Sequence, residues 1–319
     1  MQTNNEERAG WLFVTPWIIG VFMLFGYPFF ASLYWSFCEY DLLSAPRPVG
    51  FKNYAQLAKD AASFGPMTRS LWNTLYYAAL AVPGSVILGV GLAVVLMRLQ
   101  RGAAFWRAAV YLPSVLPTVA TAVLWMWLLD PRDGLVNQAM RWIGLGENGW
   151  TGVPLGESNW FRGTEEALWP TDWWSGGFLF GSKDGLVLMT LWASGNWIII
   201  YLAALHSVPK ALYEAASLDG AGPLRRFWHV TLPMLSPVIF FNVVMGLIQS
   251  FTYFTPVYIV SEGTGQPGGA TLLISLQMFL SAFQDLRMGM TSAVAWVLFV
   301  LLAGLTGLLF RTSRYWVRV

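Results

Sequence analysis

The residues with most chemistry to offer are amides, hydroxyls and aromatic rings, not acid–base pairs. Asn242, Gly246, Gln249 and Tyr253 fall at i, i+4, i+7 and i+11, one stripe along a helix, with Ser250 beside it. Trp192 and Asn196 stand one helical turn apart in an earlier apolar segment. Amides and a hydroxyl donate and accept hydrogen bonds, and a flat ring covers the C–H face of a sugar ring. Together they suit a neutral, polyhydroxylated ligand. The same groups could instead hydrogen-bond between packed helices, at about 0.6 kcal/mol each.

Other chemistries find no foothold. The single cysteine, Cys38, allows no intrachain disulfide, and His206 and His229 are too few for a metal cluster. No Gly-Lys-Ser/Thr phosphate loop, H-E-x-x-H or G-x-S-x-G occurs, so no catalytic residue, metal ligand or ATP site is expected on this chain. The net charge of +2, with dispersed basic residues, argues against a nucleic-acid partner.

The elements that must position the polar stripe are membrane helices. The chain has 319 residues, 56% hydrophobic and 11% charged, against roughly 25% charged in a soluble domain. Six charge-free spans long enough to cross about 30 Å of hydrocarbon are predicted at about 11–38, 71–97, 108–129, 185–206, 237–260 and 288–310. The flank Glu6, Glu7 and Arg8 is not basic, so the first span reads as a retained helix after a polar tail over 1–10. The spans carry no carboxylate, the usual mark of a proton-coupled carrier. The uncharged stretch 270–284 is short for a span and reads as an interfacial or partly inserted helix. Prolines inside spans, among them Pro113, Pro117, Pro237 and Pro256, kink membrane helices.

Charge counting sets the orientation. With the N-terminus inside, the inner segments hold 10 Lys/Arg in 59 residues and the outer segments 9 in 117. Both termini are therefore expected in the cytoplasm, with 11–319 as one transmembrane domain. The loop 207–236 then lies on the cytoplasmic face, and the Trp-rich loop 130–185 (Trp142, Trp150, Trp160, Trp169, Trp173, Trp174) outside, as a small cap or an aromatic belt rather than a ligand cage.

Within 207–236 sits the most polar stretch between apolar spans, Tyr213 to Pro233, YEAASLDGAGPLRRFWHVTLP. Pro209 suits a first helical turn, Lys210 to Asp219 contains good helix formers, and Gly220 suits the end. A second short amphipathic helix, Leu224 to Thr231, completes a predicted helix-turn-helix knuckle. Composition equally allows a loop lying on lipid headgroups through Arg225 and Arg226.

The string Glu214-Ala215-Ala216, Asp219-Gly220-Ala221, Phe227 and Leu232-Pro233 resembles the EAA motif of permease subunits of binding-protein-dependent ABC importers. The Asp-Gly-Ala form is similar to the carbohydrate-uptake branch, which includes maltose, glycerol-phosphate and multiple-sugar permeases. Gly50 to Tyr54, Asn73-Thr74, Leu112-Pro113 and Gly134 to Asn137 extend the resemblance over nearly the whole chain. It implies an all-α polytopic membrane protein with EAA coupling helices between spans four and five. Glu214 would anchor in a separate ATPase subunit, Ala215 and Ala216 would pack closely, Asp219 and Gly220 would make the turn with Ala221 in the same coupling segment, and Pro233 would mark re-entry into the membrane. The implied partners are a second EAA-type permease, an ATPase dimer holding ATP and magnesium, an extracytoplasmic solute-binding protein, a sugar and the lipid bilayer. The implied location is a bacterial or archaeal cytoplasmic membrane.

The resemblance also places ligand-facing residues on spans four and five. Three departures touch the outer face: Phe51-Lys52, Ser261 to Gly265 in place of T-x-G-G-P, and extra residues around 163–181. A non-sugar solute such as glycerol 3-phosphate, or a self-contained channel or carrier, is the alternative.

Overall fold

Breaks in the helices follow proline and glycine in this computed structural model, which describes residues 2–99, 101–129, 135–142, 182–265 and 269–317. In chain order the helices are α1 (Gln2–Val21), α2 (Tyr27–Ser36), α3 (Lys52–Ser63), α4 (Pro66–Arg98), α5 (Ala103–Val115), α6 (Thr118–Leu128), α7 (Leu135–Trp142), α8 (Ser182–Trp192) and α9 (Gly195–Ser207). They continue with α10 (Lys210–Leu218), α11 (Pro223–Arg226), α12 (Leu232–Phe251), α13 (Thr255–Val260), α14 (Ile274–Phe279) and α15 (Met288–Trp316). Single π turns occupy Phe22–Gly26, Phe227–Thr231 and Leu280–Gln284. Much of loop 130–185, including Trp150 to Trp174 and residues 163–181, lies outside the described residues.

Among the described residues, four helical runs are long and apolar enough to cross a membrane: Gly10–Ser36, Pro66–Arg98, Pro223–Val260 and Met288–Trp316. The other two spans are bent pairs, α5 with α6 at 99° and α8 with α9 at 45°, so the expected six are reached when each pair counts once. The sharper bend has a local cause. Pro117 has no N–H and pushes Leu116 out of the helical region to ψ 139°. Over 1–10 the chain is helical from Gln2 onward, continuous with the first span. The stretch 270–284 forms α14 and a π turn. Span four starts earlier than the hydropathy suggested. Asp184 therefore lies in the first turn of α8, buried, and accepts a hydrogen bond from the Tyr76 hydroxyl at 2.8 Å.

The chain divides into two units, the first running to Gly65 and adding Met278–Leu301. In it, β1 (Cys38–Glu39) pairs antiparallel with β2 (Arg47–Pro48). The Asn53 amide donates to the Ser36 and Cys38 carbonyls, both at 2.9 Å, and Tyr54 reaches the Ser36 hydroxyl at 2.8 Å. Phe51, one of the departures from the family pattern, packs edge-on against Phe37. Gly289 lies against the Cys38 carbonyl, where any Cβ would collide.

The second unit, Pro66–Gln277 with Leu302–Val319, is built around α4, which packs against α8, α9 and α12. Small residues permit the close approach: Gly84 faces Leu191, Gly89 faces the Tyr201 ring, and Gly246 faces Val82. Val90, Ala93 and Leu96 of α4 meet Ile198, Tyr201, Leu202 and Leu205 of α9 and Leu235 of α12 in the buried core. At the start of α4, the Asn73 amide donates to the Gly269 and Leu272 carbonyls at 2.8 and 3.1 Å. Thr74 Oγ1 accepts from the Ile274 amide at 2.9 Å, so this pair fixes the segment that follows α13.

Candidate functional site

Two sites lie within this second unit, joined by the helical run that starts at Pro223. The first is a cavity of about 80 Å³ between α4, α8, α9 and α12. It has room for several waters but falls well short of the roughly 300 Å³ of a small-ligand pocket. Asn242, Gly246, Gln249, Ser250 and Tyr253 all line it, so the stripe read from sequence is one wall. The reason differs at one end. α12 stops at Phe251 and Tyr253 lies in the break before α13, its carbonyl accepting from Ser275 Oγ at 2.8 Å, so it enters from a non-helical turn. Trp192 and Asn196 do not line the cavity. Both are exposed, with Trp192 edge-on to Trp125 at 6.0 Å, because α9 turns Trp197 and Tyr201 inward instead.

The opposite wall comes from residues that periodicity had no reason to single out: Tyr77 and Val82 of α4, Thr190 of α8, and Trp197 and Tyr201 of α9. The Tyr77 and Tyr253 rings stack at 5.0 Å. Thr190 Oγ1 lies 2.7 Å from the Tyr77 hydroxyl and 3.3 Å from that of Tyr253, tying the rings together. Deeper along α12 the bonding stops. Asn242, only 4% exposed, and the buried Tyr201 hydroxyl lie near one another, and neither makes a hydrogen bond of good geometry among the described residues. Buried polar groups left unpaired cost about 1–3 kcal/mol each, so this end is poised for a polar guest or water. Ser250 donates to the Gly246 carbonyl at 2.8 Å and offers the cavity only its lone pairs.

The second site is the loop 207–236. Pro209 precedes α10 rather than opening it, and α10 ends in a tight cap. The Ala221 amide donates to the Ala216 carbonyl at 2.9 Å and the Gly220 amide to that of Ser217 at 3.1 Å, with Gly220 at φ +73°. That is a Schellman cap. It explains the glycine, since an L side chain at that φ costs about 1–2 kcal/mol.

Glu214, Ala215, Asp219 and Gly220 are exposed and Ala216 half-buried. Leu218, Leu224 and Trp228 are exposed apolar residues on the same loop. The second knuckle helix expected over Leu224–Thr231 is not separate. α11, the π turn and α12 are continuous, so the half-buried Pro233 lies inside the run directly after the π turn, where its missing N–H removes one helical hydrogen bond at the irregular turn.

Membrane-length helices around a small, mostly apolar cavity with a few polar groups, and an exposed helical loop, define a polytopic membrane component. The profile of the family described as "Binding-protein-dependent transport system inner membrane component" matches residues 61–315, well over half of the chain, and the chain belongs to that family. It is 36% identical over 315 residues to "Probable ABC transporter permease protein YesP" of Bacillus subtilis (strain 168), covering 98% of this chain and 93% of that one. It is 30% identical to the "sn-glycerol-3-phosphate transport system permease protein UgpA" of Yersinia pestis, covering 94% and 92%. It is 31% identical to the "Lactose transport system permease protein LacF" of Rhizobium radiobacter, covering 96% and 94%. The fold matches a chain of a bacterial ABC transporter involved in the import of the acidic polysaccharide alginate, with a TM-score of 0.75 at 21% identity over 98% of this chain and 99% of that one. The resemblance carried by the EAA string is thus met by the family, and the fold is that of an ABC-importer permease.

Proposed function

We propose that the chain is the permease subunit of an ABC importer that passes a sugar or short oligosaccharide through the path lined by Asn242, Gln249, Ser250 and Tyr253. The observation that carries this reading is the pairing of stacked Tyr77 and Tyr253 rings with the Asn242 amide and Tyr201 hydroxyl, neighbours without a well-formed hydrogen bond, in one cavity. Rings supply an apolar platform, and these two polar groups supply donors and acceptors for ring hydroxyls. The lactose permease relative favours a sugar, and the glycerol-3-phosphate relative keeps a phosphorylated solute as the second reading. Against the latter, no Lys, Arg or His is among the residues lining the cavity.

In this account the solute arrives from an extracytoplasmic binding protein and a second EAA-type permease supplies the facing wall. ATP and magnesium are held by a separate ATPase dimer docked at Glu214 to Ala221. The bilayer holds the chain with both termini in the cytoplasm. A partner ATPase closing on ATP would push α10, and the helix that begins at Pro223 would carry that push to the cavity.

The test is uptake by proteoliposomes holding the full complex, offered a panel of radiolabelled neutral mono- and disaccharides with glycerol 3-phosphate as the charged comparison. ATP-dependent uptake of a neutral sugar, lost in Asn242→Leu, is expected. Uptake of glycerol 3-phosphate alone overturns the sugar reading.

A further inference from the structure

The loop after α9 is cross-tied in a way that its motif residues do not explain. Arg226 Nε donates to the Ala221 carbonyl at 2.9 Å and its Nη1 donates to Ser217 Oγ at 2.9 Å. Ser217 in turn donates to the Tyr213 carbonyl at 2.6 Å, so one hydroxyl both gives and accepts. The Tyr213 hydroxyl lies 3.1 Å from Thr231 Oγ1. Arg226 and Thr231 stand at either end of the π turn Phe227–Thr231, so the ties grip the following helix on both sides of its irregular turn. Between α10 and that helix runs only Asp219–Gly222, with Gly220 at φ +73° and nothing within 4 Å of where its Cβ would be. Left to the turn alone, α10 would pivot there.

We infer that Arg226, with Tyr213, is a positioning residue that locks α10 to the base of the cavity-lining helix. Displacement of α10 is then delivered to the Asn242–Tyr253 wall instead of being absorbed at Gly220. The inference rests on the reading that α10 takes the push of an ATPase. Arginine suits the task because its planar fork reaches two points on separate segments at once, and lysine offers one point charge. The adjacent Arg225 is exposed and serves as an internal comparison.

Spin labels test this without knowledge of the solute. In the assembled complex, with Cys38→Ser, one pair of labels sits at Ala211 and Met234 across the tie, and a second pair at Ala211 and Val95 reports α10 against α4. Vanadate-trapped ATP should leave the first distance single and narrow in the wild type while the second shifts by about 2 Å or more. Arg226→Gln should broaden or shift the first distance on trapping, Arg226→Lys should fall between, and Arg225→Gln should match wild type. Tyr213→Phe, which removes one hydroxyl, should broaden it less, and it keeps the test decisive if Arg226→Gln does not assemble. An unchanged first distance in Arg226→Gln, or in Tyr213→Phe should that one alone assemble, overturns the inference. A second distance that never moves in the wild type overturns the coupling reading instead.

Discussion

The two ends of the helical run that starts at Pro223 are held in opposite ways. At the loop end, Arg226, Ser217, Tyr213 and Thr231 are tied by hydrogen bonds, and what is left open is a mixed surface of apolar Leu218, Leu224 and Trp228 beside charged Glu214, Asp219 and Arg225. At the cavity end the apolar contacts are closed and what is left open is polar, at Asn242 and Tyr201. An end with its hydrogen bonds satisfied internally moves as a unit and offers surface to a protein. An end with unmet hydrogen bonds accepts a polar guest. One helical run thus joins the hydrogen-bonded loop to the cavity wall that holds Asn242.

Several substitutions would break or sharpen this contrast. The largest effect is expected from Glu214→Lys with Gly220→Pro, since proline cannot adopt φ +73°. Uptake and solute-stimulated ATP hydrolysis should be lost while membrane insertion, followed by fractionation, persists. At the other end, Gln249→Leu with Tyr253→Ala should lower uptake about tenfold, equivalent to about 1.4 kcal/mol, with basal ATP hydrolysis unchanged. Unchanged uptake kinetics would return these residues to helix packing.

Gly89→Ala places a Cβ 2.8 Å from the Tyr201 ring, and this crowding should lower the Tm of the purified complex by the equivalent of about 1–3 kcal/mol. The smallest effect belongs to Lys52→Ala. Its 3.2 Å ion pair with Glu39 is exposed on both sides, and its loss should move Tm by less than the equivalent of about 1 kcal/mol.

The membrane-helix character and the Asn242–Ser250 wall were legible because uncharged runs and a 3.6-residue period are visible in a linear string. Trp192 and Asn196 lie outside this cavity because the α8–α9 bend resets the helical face, and a bend of 45° leaves hydropathy unchanged. Tyr77, Thr190, Trp197 and Tyr201 were illegible for another reason. They lie on three helices far apart in sequence, and only the crossing of α4, α8 and α9 brings them to one cavity. Asp184 was missed because it lies one residue before the apolar run that hydropathy detects. The EAA string was the most readable part, since its glycine and alanines meet the local demands of a helix cap and need no distant contact.

The central claim is that α10 is where a separate ATPase acts on this chain. In the assembled complex, a cysteine at Ala215, in a background lacking Cys38, can be treated with a short bifunctional thiol crosslinker with and without trapped ATP. The account predicts an adduct between this chain and the ATPase subunit whose yield changes on trapping. A complex that hydrolyses ATP yet gives no such adduct from position 215 contradicts it.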